Sequence, residues 1–168
     1  MKYVYQIKIP QDALDDESMN SILDWLLDST IILYLASNKT NDFFLLHGVT
    51  STWCLKQILL KAFIGEKSKM LEIIRLHVGV LIATYITQQA PYVCKEKLGT
   101  GMEEMKHVSW PEIKSKLLDE MPKDSDDHVY KLVQVCYETS RKFEHNSSME
   151  LVYKKAAMTV MLNPFVFI

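Results

Sequence analysis

An all-α fold, an irregular bundle of about five or six helices in one domain over residues 1–168, is what this sequence predicts. Three observations carry that reading. Apolar residues recur at helical spacing along nearly all of the chain after Ser18. Capping and stop residues bound those runs. Period-two alternation is confined to Tyr3, Tyr5, Ile7 and Ile9, which marks a short N-terminal strand ending at Pro10.

Taken in order, Ser18 caps a first helix whose apolar positions, from Ile22 and Leu23 to Leu35, run to about Ala36. Ser37, Asn38 and Lys39 form a polar connection. Residues 42–63 are apolar at helical spacing, with a kink or junction expected where Gly48, Val49 and Thr50 weaken the middle. The strongest helix runs from Glu66 to Gln89, is stopped by Pro91, and is apolar on nearly all sides from Leu71 to Ile86. That makes it the expected centre of the core. Leu98 to Val108, with Gly99 and Gly101, reads as an irregular loop. Ser109 and Glu112 make a capping box with Pro111 between them, opening a helix that ends near Met121 and Pro122. Asp124, Asp126 and Asp127 then complement the positive end of a helix over Val129 to Phe143. Ser147 or Ser148 opens the last helix, which reaches about Leu162.

Composition narrows the function classes. With 19 Lys and Arg against 21 Asp and Glu, the formal charge is −2, so the basic stripe that neutralises phosphates is missing and a nucleic-acid partner is not expected. A chain of 168 residues buries roughly 70% of its unfolded surface, so no disulfide or structural metal is needed to hold a core. Cys54, Cys94 and Cys136 are odd in number and widely spaced, which reads as reduced, buried thiols. The N-terminus lacks the apolar region of a signal peptide, and Leu71–Ile86 is short for a span and carries Arg75 and His77. A soluble cytoplasmic protein without a membrane partner is the expectation.

Glycine-rich dinucleotide loops and the G-x-S-x-G nucleophile elbow are absent, and Cys54 has no evident base beside it. Glu104 and His107 have the spacing of one half of a di-iron pair, but the pair occurs once and reads as surface chemistry. His77, sharing a face with Thr84 and Gln88, reads as a core imidazole bonded to a hydroxyl or carbonyl, the alternative being a pocket-lining stripe. His47 follows the bulky run Phe43-Phe44-Leu45-Leu46 and precedes Gly48; its imidazole needs a definite partner, either a hydrogen-bonding group or a metal. His128 and Lys131 share a helix face, either as a terminal histidine beside a snorkelling lysine or as a ligand pair.

Two segments, Asp42-Phe43-Phe44-Leu45-Leu46-His47-Gly48-Val49-Thr50-Ser51-Thr52-Trp53 and Asp126-Asp127-His128-Val129-Tyr130-Lys131, together resemble the questin oxidase-like family, with similarity running from about residue 20 to the C-terminus. The resemblance is to the C-terminal part of that domain. It implies a mostly helical, NADPH-requiring, Baeyer–Villiger-like oxidoreductase that uses oxygen on aromatic polyketide-like substrates such as anthraquinones. By position it makes His47 and His128 ligands of a non-haem iron, with Lys131 completing the face as a carbamylated lysine. Phe43, Phe44 and Trp53 become candidate walls for a flat substrate. Family domains are longer and carry an upstream His-His segment, so the resemblance implies an incomplete or inactive short form, a missing N-terminal half, or assembly of several copies. The alternative from another class is a non-catalytic helical module that binds a partner through an exposed apolar surface.

Overall fold

The computed structural model describes residues 16–119, 126–163 and 165. Among these, six helices of ten or more residues are joined by two single turns: α1 (Asp16–Ala36), α2 (Phe43–Ala62), α3 (Lys67–Thr87), the five-residue α4 (Lys95–Gly99) and α5 (Met102–Lys106), α6 (Trp110–Asp119), α7 (Asp127–Ser140) and α8 (Ser148–Leu162). The architecture is all-helical, as the sequence predicts. The one β interaction among the described residues is an isolated antiparallel bridge between Ser37 and Val93. The strand expected at residues 3–9 and the expected end of α6 near Met121 lie outside the described residues.

Side-chain caps decide where the helices begin. Asp42 Oδ1 accepts the N–H groups of Phe44 and Leu45, each at 2.9 Å, a cap that contributes about 1 kcal/mol. The Ser109–Glu112 box forms in both directions: Glu112 Oε2 accepts the Ser109 N–H at 2.6 Å, and Ser109 Oγ accepts the Glu112 N–H at 3.3 Å. Ser147 Oγ accepts from the Glu150 N–H, and Glu150 Oε2 accepts from the Asn146 N–H. At the other end of α3 the Ala90 N–H reaches Tyr85 O and the Gln89 N–H reaches Ile86 O, with Gln89 left-handed at φ 63°, a Schellman closure just ahead of Pro91.

The main core lies between α1, α2, α7 and α8, with Ile31, Leu46, Leu132, Cys136, Tyr153 and Ala157 fully buried. A smaller cluster joins Met19 and Leu23 of α1, Leu59 of α2, and Met70, Leu71 and Ile74 of α3. Four expectations are corrected by this packing. Gly48 does not break α2; the helix passes straight through it, and a Cβ there would stand 3.3 Å from Leu81 Cδ2 of α3, so glycine lets the two helices approach. Helix α3 is peripheral instead of central: its buried residues, Met70, Leu71 and Ile74, all lie in its first half, while Val80, Ile82 and Ile86 are exposed. Residues 98–108 hold single helical turns and not an irregular loop. Cys136 alone is buried, with Cys94 partly covered and Cys54 exposed.

Both α2 and α3 are long and apolar enough to cross a membrane by length and composition. Two ion-pair groups, one buried and one partly buried, join side chains of the bundle. Lys154 is fully buried with Nζ 3.0 Å from Glu150 Oε1, itself buried. Asp24 of α1 receives Lys56 at 2.6 Å and Lys142 at 2.8 Å, and Asp28 Oδ1 accepts from the Tyr153 hydroxyl at 2.6 Å, tying α1 to α2 and α8.

Candidate metal centre

His47 and His128, separated by 81 positions in the chain, meet where the first turn of α2 packs against the first turn of α7: the two Nε2 atoms are 3.1 Å apart. Each ring is fixed from behind. The Phe43 carbonyl, one helical turn before His47, lies 2.8 Å from its Nδ1. A carbonyl only accepts, so His47 Nδ1 carries the hydrogen. Behind His128, the Asp126 carboxylate bonds Nδ1, while the same Oδ1 accepts the His128 backbone N–H at 2.9 Å and caps α7. The carboxylate is an acceptor too, and His128 Nδ1 is therefore a donor. In their neutral forms both rings turn an Nε2 lone pair toward the other; a proton on one of them makes the same 3.1 Å contact a hydrogen bond.

Two lone pairs at that separation repel unless something positive lies between them. The donor set and its spacing suit a divalent transition metal: imidazole is a ligand for iron and its neighbours. Two nitrogens each about 2.1 Å from one ion and roughly 90–110° apart lie about 3.0–3.4 Å from each other. A hydrogen-bonded carbonyl or carboxylate on the far nitrogen is the usual support of a metal-bound histidine. Among the described residues no group of three His, Cys, Asp or Glu side chains converges, so these two nitrogens are the donors the described protein brings together.

Aromatic edges surround the pair. The Phe43 ring stands edge-on to both imidazoles, with centroids 4.4 Å from His47 and 4.7 Å from His128, and Phe165 packs on Phe43 at 5.5 Å. Phe44 is half exposed beside Phe43, and Trp53 is packed against the core. Hydrogen-bonding to His128 holds the Asp126 carboxyl below the usual range, the backbone N–H first and the ring next.

Lys131, expected on the same face, turns its ammonium toward Asp127. Its side chain is exposed and its ammonium is 3.9 Å from Asp127 Oδ2. His77 has the hydroxyl partner anticipated for a core imidazole: its Nε2 is 2.9 Å from Thr52 Oγ1, whose own hydrogen goes to Gly48 O at 2.6 Å. Burial pushes the His77 pKa down. Glu104 and His107 are on the surface. The sequence reading missed Asp126 as a partner of the His128 ring, although an N-cap aspartate two residues before a histidine is the signal that would have found it.

Fold and site together define an all-helical protein with a paired-imidazole centre between two helix N-termini. The chain belongs to the Questin oxidase-like family, whose model matches residues 1–136. The match starts earlier than the resemblance near residue 20 and stops within α7, so α8 lies beyond it. Membership gives an oxidoreductase kind and a small-molecule substrate. No curated protein and no solved structure matches the chain.

Proposed function

We propose that the chain is an oxygen-dependent oxidoreductase of aromatic polyketide-like substrates in which His47 and His128 ligate an iron ion. The observation carrying this reading is the pair of facing Nε2 atoms, 3.1 Å apart, with both Nδ1 atoms committed to acceptors. Iron, when bound, supplies oxygen binding and one-electron transfer. The reaction balances with NADPH as the source of two electrons: one atom of O2 enters the substrate and the other leaves as water.

The chain's own residues prepare the centre. The Phe43 carbonyl and Asp126 hold the rings in a ligating orientation, and the rings of Phe43 and Phe165 keep water from one side. Phe44, half exposed next to them, offers a flat substrate an aromatic edge. Two protein nitrogens leave further positions of the ion to other donors, so this chain alone binds iron and turns over only with a completing partner segment or copy. Anaerobic reconstitution with iron(II) followed by metal analysis tests the proposal. One iron per chain, lost in His47→Ala and in His128→Ala, is the expected result; iron content unaffected by either substitution would overturn it.

A second reading, a non-catalytic helical module, is favoured by the apolar second half of α3, where Val80 is 59% and Ile86 63% exposed. Protein that takes up no iron yet self-associates through this face would support it.

A further inference from the structure

We propose that Asp126 is a positioning residue of the paired-histidine centre: its carboxylate fixes the tautomer and the aim of His128. The inference rests on the metal reading for its consequence, although the ring geometry can be tested without any metal. One oxygen, Oδ1, takes two donors from the same residue, the backbone N–H of His128 and its Nδ1–H. The first bond sets the start of α7 and the second turns the ring, so the helix terminus and the imidazole are locked as one unit. His47 is held differently, by the backbone carbonyl of Phe43, which no side-chain substitution removes. The only side chain bonded to the far nitrogen of either ring, among the described residues, is therefore Asp126. A carboxylate in that place also makes the opposite nitrogen a stronger donor to a cation.

Lys131 acquires a place in the same arrangement. Its ammonium is 3.9 Å from Asp127 Oδ2, next to the Asp126 that holds the His128 ring.

The experiment compares the full chain with Asp126→Ser and Asp126→Asn. Serine and asparagine cap a helix about as well as aspartate, so α7 keeps its start. Serine is too short to reach Nδ1, whereas the asparagine carbonyl oxygen still accepts weakly. Nitrogen NMR of the neutral His128 ring, without metal, reads the tautomer directly. Nδ1–H is expected to dominate in the parent, to lose its dominance in Asp126→Ser and to be partly rescued in Asp126→Asn. Cobalt(II) titration, followed by its visible bands, is expected to show binding weakened about 10- to 100-fold in Asp126→Ser at an unchanged melting temperature. An unaltered tautomer in Asp126→Ser overturns the positioning role whatever the metal does. A tautomer shifted in Asp126→Ser, together with a parent protein that binds no cobalt(II), upholds that role and overturns the metal reading instead.

Discussion

His77 shows most directly how a single side chain links this fold to pH. Burial among apolar neighbours penalises its charged form, so its folded pKa lies below the roughly 6.5 of an unfolded histidine. Between those values the unfolded chain binds more protons than the folded one, and stability therefore rises with pH. The contribution is complete above pH ~6.5 and is lost as pH falls toward the folded value. Urea midpoints measured from pH 7.5 down to 5 should fall in the parent and fall less steeply in His77→Gln; equal slopes would show that burial leaves the proton affinity of His77 unchanged. That His77 has a hydroxyl or carbonyl partner was legible in the sequence, because an imidazole in so apolar a helix needs one; that Thr52 of α2 supplies it was not. The meeting of His47 with His128 was not legible from spacing. Nothing along the 81 positions that separate them fixes which helix ends touch, and only the two family-like segments pointed to it. Three residues along a helix place the Cα of Lys131 on the His128 face, and its long flexible side chain reaches the Asp127 carboxylate.

Among the helices, those with explicit caps were read well, since Asp42, Ser109, Asp126 and Ser147 satisfy N–H groups that would otherwise be orphaned. Helix α3 was misplaced because a run apolar on every side gives no direction, and periodicity alone does not separate a central helix from a half-covered one. Gly48 was misread for the opposite reason: its cost in helix propensity is visible in the sequence, while the neighbour it makes room for is not. Gly48→Leu should drive a side chain into Leu81 and cost about 1–3 kcal/mol in urea unfolding. A neutral result would mean that α2 and α3 separate freely. Helix α8 carries a sharper test in its buried pair. Lys154→Ala leaves the Glu150 carboxylate buried without its cation and should cost about 3–5 kcal/mol. The double variant Glu150→Gln/Lys154→Met removes both charges and keeps an acceptor for the Asn146 N–H, so it should be the more stable of the two.

For the whole molecule, the arrangement divides into a packed body of α1, α2, α6, α7 and α8 and an outer helix, α3, whose second half exposes Val80, Ile82 and Ile86. Continuous apolar surface of this kind drives association. Sedimentation should show mass rising with protein concentration, and Val80→Lys/Ile86→Lys should return the chain to a monomer at every concentration; a parent that stays monomeric at high concentration would show that the face is tolerated by solvent. The catalytic proposal rests where the N-terminal part of α2 meets the first turn of α7. X-ray absorption of the iron-reconstituted chain tests that proposal most directly. Two imidazole nitrogens on each iron, falling to one in His47→Ala, is the spectrum predicted. An iron surrounded by oxygen donors alone, and unchanged by that substitution, would contradict it.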